Sequence, residues 1–295
     1  MAEIHGKQEL YPLSVVIATL GGEALGDTLS YLNSGEKIPF EILVCIPEEN
    51  FLLIEKPSQG NVKIVRTPCR GQVAQRAYGL QRACQPFVLQ LDDDIVLTPD
   101  DLRLLLQTLR QLGPGAALAP LTRLLPTGQD ATEYQRGMSG WLQSFYALFS
   151  GGAPWGAKKM GMISSAGFGY GVDRKYCGPD IFETQWLPGG CVLCHLEDVV
   201  TEDYYPFAGK AYTEDLVHSV LWRKKGVRLW VHPDAYCATL VASMPFSLLS
   251  ANEVLRAHSY VVKLIGGKMW QLKLWYIINV LKQALLLSLK RVLRK

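Results

Sequence analysis

No acidic residue follows Glu253, although 27 precede that point or stand at it. Nine basic residues (Arg256, Lys263, Lys268, Lys273, Lys282, Lys290, Arg291, Arg294 and Lys295) fill the same stretch. The net charge of +3 therefore conceals a mildly acidic body, with 21 basic against 27 acidic residues, and a cationic tail. That distribution excludes a nucleic-acid binder, which needs a basic face on the domain itself; the tail suits an anionic membrane surface. The chain also lacks a G-x-G-x-x-G turn. The first strand is followed by "ATLGGEALG", and "GFGYG" (167–171) has neither a strand signal before it nor a helix signal after it, which excludes a nicotinamide dehydrogenase of the usual design. No basic start leads into a long apolar core, so no secretory signal is expected. Seven cysteines at irregular spacing predict reduced thiols in a cytoplasmic setting rather than a disulfide framework. "CVLCH" (191–195) matches the haem-attachment pattern in form, but it follows "WLPGG" and reads as a short buried strand.

At 295 residues, 48% of them hydrophobic, the chain can build one large core or a domain with an appendage. Strand and helix signals alternate over the first 120 residues. "LSVVIAT" (13–19), "EILVCI" (41–46), "NVKIV" (61–65), "FVLQL" (87–91) and "AALAP" (116–120) are apolar strands. "GEALGDTLSYLN", "GQVAQRAYGLQRAC" and the segment from Pro99 are helices between them. Continuous apolar strands joined by helices predict an α/β protein with a mostly parallel sheet covered on both faces. Residues 126–189 are rich in glycine and aromatics and read as loop rather than core, either functional or disordered. Order resumes with "GGCVLCHLEDVV", then with "AYTEDLVHSVLWRKKG". In that helix Thr213 is the expected cap, Glu214 and Asp215 occupy the first turn, three basic residues the last, and Gly226 the stop.

"FVLQLDDDIVLTPDDL" (87–102) crowds five aspartates behind an apolar strand. Asp100 and Asp101 have an ordinary explanation. Thr98 caps the next helix, Pro99 suits its first turn, and the helix dipole favours negative charge there. Asp92, Asp93 and Asp94 instead end a strand, where α/β proteins keep their ligands. Asp-x-Asp at that place suits a divalent cation carrying a diphosphate, with hard oxygen ligands and phosphate oxygens completing the shell. Spacing alone leaves a solvated acidic turn equally open.

"IATLGG", "CIPEEN", "RGQVAQRAYGL", "LQLDDDIVL" and "AYTEDLVHSVLWRKKG" occur in the order seen in family 2 inverting glycosyltransferases, which residues 11–240 resemble. The resemblance implies a GT-A fold, Rossmann-like with flanking helices, and a nucleoside-diphosphate sugar donor, UDP-linked by preference. It implies that Thr19 meets the base, that Glu48 (with Glu49 as rival) contacts base or ribose, and that Arg76 lies near the nucleotide. Asp92 and Asp94 match the metal-binding Asp-x-Asp, with Asp94 the direct contact to Mn²⁺ or Mg²⁺, and Asp93 stands beside the donor. Asp215 matches the general base, and Glu214 supports acceptor or metal geometry. An inverting transfer needs a carboxylate to take the acceptor hydroxyl's proton, and a first-turn position should keep Asp215 ionised. Both acids could instead merely complement the helix dipole. His218, one turn later, reads as a packed histidine rather than a ligand. Trp186, Gly189 and Gly190 precede the strand that by resemblance borders the donor sugar. An aromatic can stack on a sugar, and glycines allow close backbone approach; Trp186 as plain core is as open.

From Trp270 onward, Leu274, Ile278, Leu281, Leu285, Leu289 and Val292 form one stripe, with Lys273, Asn279, Gln283, Lys290, Arg291 and Arg294 opposite. Lys282 intrudes near the apolar side and must snorkel. The tail's longest uncharged run, "LWYIINVL", is too short to span a bilayer and suits an in-plane interfacial helix. The expected organisation is a glycosyltransferase domain over 1–243 and amphipathic membrane-surface helices over 244–295. The protein should sit, peripheral or monotopic, on the cytoplasmic face of a membrane. The tail lacks the Gln-x-x-Arg-Trp and multiple spans of processive relatives, which favours transfer of one sugar to a lipid-linked acceptor. A polyprenyl-phosphate sugar transferase and an inactive membrane-bound scaffold are the alternatives.

Overall fold

The structure, a computed structural model, describes residues 9–54, 57–131, 160–207, 210–240 and 248–293. In the last segment side chains are described to Gln283, and those of Leu240 and Leu248 are not described. Among these residues the chain builds a ten-stranded sheet in the order β3-β2-β1-β4-β9-β6-β10-β5, with β7 beside β6 and β8 beside β10. The strands are β1 (Glu9–Ala18), β2 (Lys37–Pro47), β3 (Val62–Thr67), β4 (Phe87–Asp92), β5 (Val96–Leu97), β6 (Ala116–Leu125), β7 (Gln129–Asp130), β8 (Phe182–Thr184), β9 (Cys191–His195) and β10 (Arg228–Leu240). The helices are α1 (Leu25–Leu32), α2 (Gln72–Leu80), α3 (Pro99–Leu112), α4 (Glu214–Lys224), α5 (Leu248–Leu264) and α6 (Met269–Leu293).

β1 to β4 pair in parallel, as do β6 and β10, while β9 runs antiparallel between β4 and β6. The sheet is thus mixed, with β9 as the antiparallel insertion. Alternate residues feed two cores. Val15, Ile17, Leu89 and Leu193 pack under α1 and α3. Val16, Val88, Val192 and Cys194 pack under α2 and α4, with Leu80 and Trp222 from those helices. Burial on both faces is why these strands read as continuous apolar runs. "CVLCH" is accordingly a buried sheet strand. Thr98 caps α3, accepting from the Asp101 amide at 3.2 Å. The Gly79 of "RAYGL" lets α2 lie hard on the sheet, since a Cβ there would come within 2.4 Å of Cys45 Sγ and 2.6 Å of Val16.

β5, β7 and β8 have two or three residues each, too few to leave a periodic signal. Part of the glycine-rich stretch also has order. Residues 160–172 form a hairpin, with an antiparallel bridge between Ile163 and Gly169 and amide bonds from Gly161 to Tyr170 O (2.9 Å) and Tyr170 to Met162 O (2.8 Å). Its tip is held by the C-terminal helices. Lys268 N donates to Ser165 O at 2.6 Å, Ser165 Oγ to Gln271 at 2.6 Å, and His258 Nδ1 lies 2.8 Å from Gly167 O. Gly151, Gly152 and Gly156 lie outside the described residues, as does the expected domain boundary at 243.

The C-terminal helices are not a free appendage. Val261 of α5 packs against Leu216 and Val217 of α4, and Leu272 of α6 is fully buried with Ala166 and Val262. Gly266, at φ 66°, makes the break between α5 and α6. The outer face of α6 stays open, with Trp270, Ile277 and Leu281 more than half exposed and Leu274 and Ile278 partly so. Asn279 turns inward and bonds Trp275 O at 3.0 Å. Leu285, Leu289, Val292, Lys290, Arg291 and Arg294 lie beyond the described side chains. No described helix is long and apolar enough to cross a membrane.

Candidate active site

The order 3-2-1-4 reverses direction at β1, so a crevice opens beyond the carboxyl ends of β1 and β4, where Ala18 is in register with Asp92. A cavity of about 800 Å³ occupies it, lined among others by Thr19, Gly22, Arg70, Gln72, Gln75, Asp92, Asp93, Asp94 and Lys210. Gln75 ties the strand ends beneath it, donating to Thr19 O and Cys45 O at 2.8 Å each. The Thr19 hydroxyl donates to Asp93 Oδ2 and accepts from the Gly21 amide at 3.0 Å. Thr28 donates to Asp93 O at 3.0 Å, which fixes the turn. Asp94 stands at the rim. Partial burial of its carboxyl, followed by the charges of Asp92 and Asp93, raises its pKa above the usual carboxylate value.

Arg76 is buried beneath the acids rather than lining this cavity. Its guanidinium pairs with Asp92 Oδ1 and, at 2.6 Å, with Glu214 Oε1, so one cation joins motifs 122 residues apart in sequence. Gln72 adds a 3.0 Å bond to Asp92 Oδ1, and the Tyr204 hydroxyl donates to Glu214 Oε2 at 3.0 Å. Burial, then the Glu214 charge, pushes the Tyr204 pKa far up, so the hydroxyl keeps the proton it donates. Glu214 has both oxygens engaged inside the protein, which makes it a brace for Arg76 rather than a group facing a ligand. Gly189 and Gly190 serve the same brace. A Cβ at Gly189 would lie 2.5 Å from Glu214 Oε1, and one at Gly190 3.1 Å from Asp92 Oδ2. The close approach they permit is to carboxylates of the chain itself.

Asp215 lines a second cavity, of about 310 Å³, with Trp186, Tyr170, Leu121, Val172 and Thr239 among its walls. The two cavities adjoin where Thr239 Oγ1 donates to Asp94 Oδ2 at 3.3 Å. Burial, then Glu214, raises the Asp215 pKa to about 7; the Leu216 amide and Arg76 offset part of this. The first-turn position therefore does not keep Asp215 an ordinary ionised carboxylate, because loss of water and the neighbouring acid outweigh the helix dipole. Nor does Thr213 cap α4. Its backbone is left-handed (φ 57°), and its buried hydroxyl has no partner among the described residues.

Trp186 does not border the Asp92–Asp94 cavity; it forms a wall of the second. Its indole N–H donates to Tyr170 O at 3.0 Å. Glu48 is not brought to either cavity, since it lies on an exposed turn paired with Arg66 at 3.0 Å, and Glu49 reaches towards Arg70 at 3.9 Å. His218 is packed, stacked on Trp222 at 3.7 Å, and burial, aided by Arg76, lowers its pKa to about 3. Gln75, Tyr204 and Lys210 are site neighbours that sequence patterns miss. Each belongs to a stretch whose only local signal is helix or loop, and only contact across the fold gives it a role.

Residues 49–153 match the family described as Glycosyl transferase family 2. That match covers 105 of the 295 residues, from the turn after β2 through α2, β4, α3 and β6. No curated protein matches the chain in sequence. Among solved structures, the chain is similar to GalNAc-T7 with UDP, GalNAc and Mn²⁺ (TM-score 0.58, 14% identity, 85% of this chain). It is also similar to residues 1–349 of S. aureus TarS in complex with UDP-GlcNAc (TM-score 0.50, 15% identity, 86% of this chain). Those likenesses show a shared GT-A fold. The chain spans 47% of the first protein and 66% of the second.

Proposed function

We propose that this protein is a family 2, metal-dependent, inverting glycosyltransferase that moves one sugar from a UDP-linked donor to a membrane-borne, lipid-linked acceptor. One observation carries it: two adjoining cavities, one edged by Asp92–Asp94 and the other by Asp215, meet at the Asp94–Thr239 contact. UDP as the donor nucleotide is supported by the UDP and UDP-GlcNAc bound to the two similar proteins.

The first cavity suits the donor, with Arg70 and Lys210 among its walls as cations for the phosphates and Thr19 at the strand end. A divalent cation fits the acids there. They offer hard oxygens, and the raised pKa of Asp94 marks a carboxylate cluster short of positive charge. Asp92 has one oxygen committed to Arg76 and Gln72, which favours Asp94 for direct contact. No group of three ligating side chains that could hold a metal occurs among the described residues, so diphosphate and water oxygens would complete the shell. Mn²⁺ or Mg²⁺, when bound, would neutralise charge on the leaving diphosphate.

Asp215, as carboxylate, takes the acceptor hydroxyl's proton while that oxygen bonds to the anomeric carbon and the bond to the diphosphate breaks, inverting the configuration. Arg76, Glu214 and Tyr204 hold the frame between the two acids. Residues 1–243 form the catalytic domain, and 244–295 dock it on a membrane through the outer face of α6, flanked by Lys273 and Lys282. The test is nucleotide release from UDP-sugars with Mn²⁺ or Mg²⁺ and a membrane-lipid extract. Release that depends on metal and on lipid supports the function, and no release with any donor overturns it. Asp94→Asn should weaken nucleotide binding, as chelator should, while the fold survives; calorimetry giving equal affinity with and without divalent metal would remove the cation from the site.

A further inference from the structure

The two cavities differ in charge. The donor cavity has Arg70 and Lys210 among its described walls, facing the carboxylates of Asp92–Asp94. The second has no lysine or arginine among its described lining residues, and it holds two carboxyl groups, Asp130 and Asp215. Arg123 approaches Asp130 at 3.8 Å, but the guanidinium of Arg76 is bonded to Asp92 and Glu214, and no cation bonds Asp215 among the described residues. A phosphate brought to Asp215 would meet a like charge in a partly desolvated site, where repulsion is strong. A neutral hydroxyl would meet an acceptor for its proton.

The walls point the same way. Trp186 and Tyr170 stand with Leu121, Val172 and Val231 around a volume at the low end of ligand cavities. Trp186 is fixed in place. Its indole N–H is bonded to Tyr170 O, its amide donates to Thr184 Oγ1 at 3.1 Å, and Gly169 packs so near that a Cβ there would fall 2.5 Å from the indole. A rigid aromatic wall in a cavity that also holds the Asp215 carboxylate suits a ring with one apolar face and hydroxyls at its edge.

We infer that the second cavity takes a neutral glycosyl residue of the acceptor, stacked on Trp186 with a hydroxyl directed to Asp215, and that it rejects a lipid phosphate. This rests on the glycosyltransferase function proposed above and names the acceptor class for the same site. Trp186 thereby becomes an acceptor-specificity residue.

The experiment uses the full chain with the UDP-sugar that gives the strongest nucleotide release, Mn²⁺, and two acceptor sets: neutral octyl glycosides and a polyprenyl phosphate. Release should be stimulated by at least one octyl glycoside and not by the polyprenyl phosphate. Trp186→Ala should raise the acceptor KM roughly two- to tenfold, the worth of one aromatic contact, with UDP affinity by calorimetry unchanged. Trp186→Phe, which keeps a ring should the alanine variant not fold, should lie between. Stimulation by the polyprenyl phosphate alone would overturn this inference while leaving the glycosyltransferase standing. So would a Trp186→Phe or Trp186→Ala variant that lost UDP affinity with acceptor KM unchanged. Absence of nucleotide release under every condition would overturn both.

Discussion

Asp215 and Glu214 are neighbours in sequence with opposite fates. Glu214 is buried and bonded to Arg76 and Tyr204; Asp215 faces a cavity, and burial, then the neighbouring Glu214, makes its own ionisation harder. A general base works only when deprotonated. With its pKa pushed up to about 7, kcat/KM should climb as the pH rises through about 7 and level off above it. Asp215→Asn should slow transfer by roughly 10²–10⁴-fold at unchanged donor affinity and abolish that pH limb. Steady-state rates across pH 5–9 for both forms would check this; a wild-type profile flat through that range would remove Asp215 from the proton transfer.

Elements are fastened at the end of the sheet away from the cavities by a second buried carboxylate. Glu41 of β2 accepts from Ser14 of β1 at 2.8 Å, from Lys63 of β3 at 2.8 Å and from the Cys84 amide at 3.1 Å, so it joins three strands to the connection after α2. Burial alone would raise its pKa, but these donors hold it down to about 2. A depressed carboxylate contributes stability that is present above its unfolded pKa, here near 4.5, and lost as pH falls through the folded value. Glu41→Gln should therefore cost about 1–3 kcal/mol at neutral pH, the usual penalty for a buried hydrogen-bonded charge. The difference from wild type should shrink between pH 4.5 and 2, as denaturant unfolding at stepped pH would show. A difference independent of pH would assign the effect to packing instead.

The whole molecule is asymmetric in charge and in exposed apolar surface, and both asymmetries fall on α6. Trp270, Ile277 and Leu281 face outward with Lys273 and Lys282 nearby, on a chain that has no acid after Glu253. Each lysine near an anionic surface is worth about 1 kcal/mol, screened by salt. The protein should float with anionic vesicles more than with neutral ones, and less at high salt. Replacing Lys273 and Lys282 by alanine together should weaken binding roughly thirtyfold. Deletion from Gly266 would also strip Leu272 from Ala166 and Val262, so truncation after Gln283 is the cleaner cut, and it removes Lys290, Arg291, Arg294 and Lys295. Equal flotation of that truncated form and the full chain would confine the membrane contact to the retained part of α6, whereas equal flotation of the full chain with anionic and neutral vesicles would remove the lysines from it.

The sequence alone determined the elements whose causes are local. Apolar runs buried on both faces announced the central strands, Thr98 and Pro99 the start of α3, and the carboxylates after "FVLQL" the end of a parallel strand beside a ligand crevice. Family order added Asp215 at the start of its helix. What the sequence could not determine was which neighbour each polar group would meet. Arg76, expected near the nucleotide, bridges Asp92 and Glu214, and Gly189 and Gly190, expected beside the donor sugar, lie close against those two acids. Glu48, expected at base or ribose, lies on an exposed turn and pairs with Arg66. Trp186 and Asp215, 29 positions apart, came to share one cavity because β9 inserts antiparallel beside β4 and α4 packs back across the sheet. Propensity and pattern act over a few residues, whereas a charge's partner and a cavity's walls are set by which strands lie side by side, and that is decided only when the whole core closes.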